Sequence, residues 1–344
     1  MSKDGTPRPR RVRYPGTHPR RFEEKYKELA PERYGEEQAK VMARGHTPAG
    51  THRPILVEEI LAFLDPRPGQ RALDATLGYG GHAARILARI QPSGLLVGLD
   101  VDPLELPRTE ARLRAQGYGE EVLQVRRTNF ASLPKVAAEL GPFHLVLADL
   151  GVSSMQIDTP SRGFTWKAEG PLDLRLNPQK GRPASALLAT LDEATLQALL
   201  EENADEPHAQ ALAQALAGQR LATTRELADR IRETLRGAVA DPDELKRALQ
   251  RTFQALRIAV NDEFGVLEQF LAHLPGALLP GGRAAILTFH SGEDRRVKKA
   301  FQQGHRDGTY AEVAPEPLRA GPGERRDNPR STSAKLRWAV RSGS

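Results

Sequence analysis

The chain has 344 residues, of which 27% are charged and 39% hydrophobic, with a net charge of +6. That composition suits a soluble globular protein large enough for two domains or one decorated domain. No cysteine is present, which excludes disulfides, thiolate metal sites and cysteine nucleophiles. No run approaches the ~20 apolar residues of a membrane span and no signal-peptide core is read, so the cytoplasm is the expected location.

Residues 1–45 read as a basic flexible arm, with seven Lys or Arg against one acid in residues 1–21. Residues 319–341 carry seven more basic residues against Glu324 and Asp327. Basic ends around a balanced middle suit contact with a phosphate backbone, although solvated tails look the same in sequence.

From His46 onward apolar strands alternate with amphipathic helices. Ile55–Leu64 has helical spacing and stops at Asp65-Pro66. Arg71–Asp74 is a short strand leading into Thr76-Leu77-Gly78-Tyr79-Gly80-Gly81-His82 and a helix to about Ile90. Leu95–Asp100, Val122–Val125 and His144–Asp149 are further strands, with helices over Leu104–Gln116 and Leu133–Leu140 between them. This alternation predicts an α/β fold with a parallel, doubly wound sheet. Residues 160–250 interrupt it with helical stretches such as Leu187–Asn203, Ala209–Leu216 and Thr224–Leu235. Strand character returns at Arg283–Phe289, beside a Pro280-Gly281-Gly282 turn. A helical insert at 160–250 therefore divides a sheet domain made of 46–159 and 251–344.

Chemistry is expected where strands end. Gly78, Gly80 and Gly81 permit a tight turn and close approach of backbone N–H groups to a ligand. Asp100 ends the next strand 20 residues after Gly80, the spacing at which an acid meets ribose hydroxyls. The loop lacks the third glycine of a dinucleotide site, which favours S-adenosylmethionine over NAD. Asp149 ends a buried strand and enters Gly151-Val152-Ser153-Ser154, so it should border the same crevice. A turn or N-cap role remains its plain alternative. His290, Glu293 and Asp294 follow a late strand and are able to titrate or to position substrate; helix capping by Ser291 or Asp294 is the competing reading. No histidine cluster with ligand spacing occurs, and no metal is expected.

Taken in order, these segments resemble the bacterial small-subunit ribosomal RNA cytidine-N4 methyltransferases, the MraW or RsmH family. The resemblance spans residues 46–340 and rests on His52–Leu56, Asp74–His82, Asp100–Pro103, Asp149–Gln156, Arg162–Phe164, Gly170–Arg175, Arg251–Asn261, Phe289–Arg295, Asn328–Arg330 and Ser333–Arg337. It implies a Rossmann-like class I methyltransferase sheet with an inserted all-helical substrate-recognition domain. It implies cofactor contacts at Gly80, Gly81, His82, Asp100, Phe130, Asp149 and Gln156. Asp149, Ser153, Ser154, His290 and Glu293 are the expected catalytic group, with Arg162, Arg175, Arg251, Arg257 and Arg295 available for RNA backbone or for packing the insert. Small-subunit rRNA within the 30S particle is the implied partner, without a membrane, and a homodimer is left open. Gly292 departs from the usual leucine of the family's F-H-S-L-E-D-R run, an expected loosening of that turn. Methylation of another nucleic acid or of a protein, and a non-catalytic rRNA-binding assembly role, are the alternatives; a nicotinamide oxidoreductase is a more distant one.

Overall fold

The computed structural model describes Pro54–Gly343; the arm assigned to residues 1–45 and the His52-Arg53 pair lie outside the described residues. Seven strands form one sheet in the order β3-β2-β1-β4-β5-β7-β6. They are β1 (Arg71–Asp74), β2 (Leu95–Asp100), β3 (Leu123–Arg127), β4 (Phe143–Asp149), β5 (Leu278–Thr288), β6 (Tyr310–Val313) and β7 (Lys335–Arg341). The first five are parallel, and β7 lies antiparallel between β5 and β6. The chain runs outward from β1 to β3, then returns to place β4 on the other side of β1. That reversal opens a crevice at the carboxyl ends of β1 and β4, where α/β sheets bind ligands.

Both faces of the sheet are covered, so its strands are apolar on both sides. Leu73 and Val97 face one core with Phe143, and Ala72 and Leu96 face the other. The second core packs on α1 (Val57–Leu64), α2 (Gly81–Ile90) and α3 (Glu105–Ala115). The first packs on α4 (Leu133–Leu140), and on two later helices, α11 (Glu263–Ala277) and α12 (Ser291–Arg306). Phe270 of α11 is fully buried there and meets Phe130 edge to face at 5.2 Å.

Between β4 and β5 the described chain has no named strand. It forms α5 (Ser154–Asp158), α6 (Ala184–Leu188), α7 (Glu193–Ala204), α8 (Ala209–Leu216), α9 (Thr224–Thr234), α10 (Pro242–Asn261) and then α11. A third apolar cluster, including Leu196, Leu200, Leu212, Ile231 and Phe253, holds α6–α10 together. The boundary expected at residue 250 lies inside α10.

Several elements differ from the sequence expectation. The helix expected over Leu187–Asn203 is two helices, because Asp192 turns its carboxylate back to accept from Thr195 N–H at 2.8 Å and starts α7 afresh. The Pro280-Gly281-Gly282 turn lies within the span of β5 as a bulge: the β4 partner of Leu278 is Phe143, while that of Arg283 is Leu145. β6, β7 and the short α13 (Pro322–Asp327) carry too little pattern to be read from sequence.

Phe270→Ala is expected to cost about 3–5 kcal/mol of folding stability through cavity formation and loss of the Phe130 contact. A urea titration followed by circular dichroism measures it; a loss under ~1 kcal/mol would show that this core collapses to fill the space.

Candidate functional site

Four strands deliver polar side chains to one edge. Asp74 and Asp100 end β1 and β2, Asp149 ends β4, and His290 follows β5 as the N-cap of α12. The β1–α2 loop is shaped by its glycines. Gly78 and Gly80 have φ of +46° and +73°, which disfavours side chains. A Cβ on Gly80 would lie 2.9 Å from Thr109 Cγ2, and one on Gly81 only 2.4 Å from Pro54 Cγ. The loop is thus pressed between α3 and the segment entering α1.

Asp100 holds this loop in place. Its Oδ2 accepts from Gly78 N–H at 2.8 Å and its Oδ1 from Asp102 N–H at 2.9 Å. A carboxylate has about four acceptor sites, so Asp100 retains capacity for a ribose hydroxyl beside these donors. Phe130 opens a 3-10 turn after β3, with Asn129 Oδ1 accepting from Ala131 N–H, and its ring is only partly buried.

The acids of the crevice are strongly perturbed. Burial pushes Asp74 up to about 7, opposed by His82 and by Thr76 N–H, and reinforced by Asp149 and Asp100. Burial together with the Glu293 charge pushes Asp149 up to about 7. Burial also raises Asp100, against the N–H donors that favour its charge. Carboxylates crowded in a low-dielectric crevice favour a cationic ligand, which restores their charged forms. A sulfonium-bearing nucleoside meets this donor set: positive charge for the acids, a diol for Asp100 and an adenine for the Phe130 ring.

Asp149 is the most accessible of the facing pair, 32% exposed where its His82 neighbour is 8%. Its N–H donates to Thr76 Oγ1 at 2.6 Å, tying β4 to the glycine loop. Glu293 is buried; burial alone would raise its carboxyl, but His290, Phe289 N–H and Arg257 hold it below the ordinary range. His290 Nε2 lies 3.2 Å from Glu293 Oε1. Glu263, His290 and Glu293 have ligand atoms within 4.8 Å of one another, an arrangement not visible from spacing. Both Glu263 oxygens are committed to Arg257 at 2.8 Å, so an arginine already neutralises this group.

Ser153 and Ser154 sit at the start of α5, where Ser153 Oγ accepts from Gln156 N–H and Gln156 Oε1 accepts from Ser153 N–H, a capping box. Gln156 Nε2 donates to Asp102 Oδ2 at 2.8 Å, so this buried side chain is engaged within the protein. Asp102, passed over in the sequence beside Asp100, is the hub here. Its Oδ1 accepts from Leu104 and Glu105 N–H at the start of α3. Its Oδ2 also receives Arg162 Nη1 at 2.7 Å. An acid followed by proline just before a helix is the signal that would have found it.

The five arginines read as available for RNA backbone or for packing the insert all have carboxylate partners. Arg162 is buried, paired with Asp102 and donating to the Leu176 and Arg175 carbonyls, so it packs the insert and does not reach a phosphate. Arg175 pairs with Asp173, Arg257 with Glu263, and Arg251 with Glu206 and Glu244. Arg295 forks Asp205 at 3.0 and 3.1 Å and alone among them is more than half exposed. The loosening expected at Gly292 is not found, because Phe264 fills the space: a Cβ there would meet its Cζ at 2.5 Å, and Arg296 stacks on the same ring. Asp294 does not cap α12; it pairs with Lys335 and Arg337 of β7.

A separate cleft lined by Asp65, Arg67, His144 and Arg283 opens at the amino ends of the strands and shares no residue with the crevice. No described helix is long and apolar enough to cross a membrane.

The chain matches the MraW methylase family over residues 49–342. It is 53% identical over 341 residues to "Ribosomal RNA small subunit methyltransferase H 2" of Alkaliphilus metalliredigens, covering 97% of this chain and 98% of that protein. It is 50% identical over 342 residues to "Ribosomal RNA small subunit methyltransferase H 1" of Lachnoclostridium phytofermentans, covering 96% and 93%. The likeness to "Ribosomal RNA small subunit methyltransferase H" of Heliobacterium mobile is 40% over 310 residues, covering 84% of this chain and 98% of that protein. The first two leave too few residues unmatched to omit the whole of segment 1–45.

Two measurements test the site. Arg162→Ala leaves Asp102 charged, buried and short of a partner, and is expected to cost about 3–5 kcal/mol by urea unfolding. Asp74 titrates near 7 when folded and near 4 when unfolded, so the folded state holds the extra proton between those values. Its contribution to stability is complete below about pH 4 and is lost as the pH rises through about 7. Asp74→Asn should therefore flatten the fall in urea midpoint between acid and alkaline pH; an unchanged profile would place the titration elsewhere.

Proposed function

This chain belongs to the MraW methylase family, and we propose that it methylates the exocyclic N4 of a cytidine in the decoding region of small-subunit ribosomal RNA, with the 30S particle as its substrate. The observation that carries the reading most directly is the meeting of Asp74, Asp100 and Asp149 around a glycine loop at the switch point of the sheet. S-adenosylmethionine supplies an electrophilic methyl group when bound. The residues that would hold it are Gly80, Gly81 and His82 at the loop, Asp100 at the ribose and Phe130 at the adenine.

The difficulty of the reaction lies in the nucleophile. The N4 lone pair of cytosine is delocalised into the ring, and the amine becomes reactive only as that conjugation is broken. A carboxylate that accepts a hydrogen bond from the amino group stabilises the positive charge building on N4, and a fixed geometry supplies alignment. Asp149 is the residue for this role, because it opens to the crevice from the strand end beside the loop. Ser153 and Ser154 line the same turn, and His290 with Glu293 flank it as orienting groups for the base. No covalent intermediate is required, in keeping with a chain that lacks cysteine.

Substrate recognition is assigned to the helical segment 160–250, which has its own apolar core and is anchored to the crevice by Arg162. Of the arginines named from sequence, the exposed Arg295 is the candidate backbone contact, together with the basic Arg319, Arg325 and Arg326 near the carboxyl terminus. Binding through phosphates should weaken steeply with salt.

The test is methylation of 30S particles and of naked rRNA with labelled S-adenosylmethionine, followed by mass spectrometric mapping. Label in one cytidine of the particle is expected. Asp149→Asn should lower turnover by at least about a hundredfold, with the fold retained. Label in neither RNA form would overturn the assignment, and near-normal turnover in the variant would remove Asp149 from it.

A further inference from the structure

His82 does more than close the cofactor loop. Its Nε2 lies 3.0 Å from the Ile55 carbonyl oxygen, which can only accept. Nε2 therefore carries the ring proton, and in the neutral imidazole Nδ1 is left with a lone pair. Nδ1 lies 3.6 Å from Asp149 Oδ2, just beyond hydrogen-bond length. When Asp149 is ionised two acceptors stand at that separation. The ring does not flip to escape, because the Ile55 carbonyl holds the other nitrogen and the side chain is buried.

We propose that Asp149 takes the proton released on methylation of N4 and shares it with Nδ1 of His82. The inference rests on the methyltransferase reading above. The N4 lone pair forms the new C–N bond, and the electron pair of the broken S–C bond remains on sulfur. N4 is then cationic with one proton in surplus. That proton passes to Asp149 Oδ2, the N–H bond pair stays on N4, and the carboxylate becomes a neutral acid. The acid O–H donates to Nδ1, so the two acceptors become a hydrogen-bonded pair. His82 is thus a positioning residue acting through Asp149, and it holds the proton until the product leaves.

The surroundings suit a group that takes up a proton. Asp74 faces His82 from β1, Glu324 from α13, and Glu293 faces Asp149 from α12, with Arg257 of α10 next to Glu293. Asp100 adds a further negative charge beside Asp74. Three acids near the pair favour its protonated state, while burial keeps His82 from becoming charged alone. The working form is the unprotonated pair, so turnover should rise with pH through the titration of Asp149 near 7.

His82→Gln separates basicity from packing, since its amide still has a donor for Ile55 and an oxygen to face Asp149. We expect kcat to fall about tenfold, with KM for 30S particles within about twofold. The pH at half-maximal kcat should move down, because the amide oxygen is a much weaker base toward the acid O–H than an imidazole nitrogen. Independently of turnover, nitrogen-15 NMR of histidine-labelled protein without substrate should show His82 as the Nε2–H tautomer. Its Nδ1 signal should titrate in the wild type and lose that titration in Asp149→Asn. An Nδ1–H tautomer, or the same titration in Asp149→Asn, would overturn the shared proton. Unchanged kcat and pH profile in His82→Gln, with wild-type rRNA methylation intact, would defeat the relay alone. Absence of methylation by the wild type would instead defeat the reading on which it rests.

Discussion

The arrangement depends on one buried carboxylate. Asp102 caps the start of α3 with one oxygen and receives Gln156 and Arg162 with the other. Three pieces of chain distant in sequence meet at that side chain: the loop after β2, the turn after β4 and the root of the helical segment. A buried ion pair gains little over an apolar contact of the same shape, and its value lies in geometry. Here it fixes the direction in which the helical segment leaves the sheet. It also holds α5 against the β2 loop, which in turn sets the strand-end acids Asp100 and Asp149 relative to each other.

The crevice is then an electrostatic compromise. Asp74, Asp100 and Asp149 are brought together by strand register, and their proximity raises the cost of charging each. Acids that are costly to charge together favour a cationic ligand, which offsets that cost. Burial of Glu293 has a different outcome, because His290 and Arg257 neutralise it locally. Two acids facing one crevice thereby differ in behaviour: Glu293 stays ionised, while Asp149 is poised to exchange a proton near neutral pH. Environment divides the work between chemically similar groups.

The arginines show how poorly charge alone predicts contact. A run of basic residues in sequence says nothing about which have carboxylates in reach after folding. Arg162, Arg175, Arg251 and Arg257 are engaged in internal ion pairs. Phe264 and Gly292 are a comparable case for volume. The ring occupies the place of an absent side chain, and a local departure from the family pattern is absorbed by a neighbour 28 positions away in the chain.

The parallel sheet, the strand-end acids and the glycine loop are legible in the sequence, because these depend on local periodicity and on spacing along one chain segment. Alternating apolar runs marked β1 to β4 within a residue or two, and Gly80, Asp100 and Asp149 stood at their ends. Family resemblance added Phe130 and Gln156, whose sequence surroundings carry no chemical signal. Tertiary structure alone decided what depends on contact between distant segments. It made Asp102 a hub, joined β7 antiparallel beside β5, gave Arg162 a buried role and brought Glu263 to His290. It also set the tautomer of His82, since Ile55 is 27 residues away and a ring nitrogen takes its proton from whichever partner the fold provides.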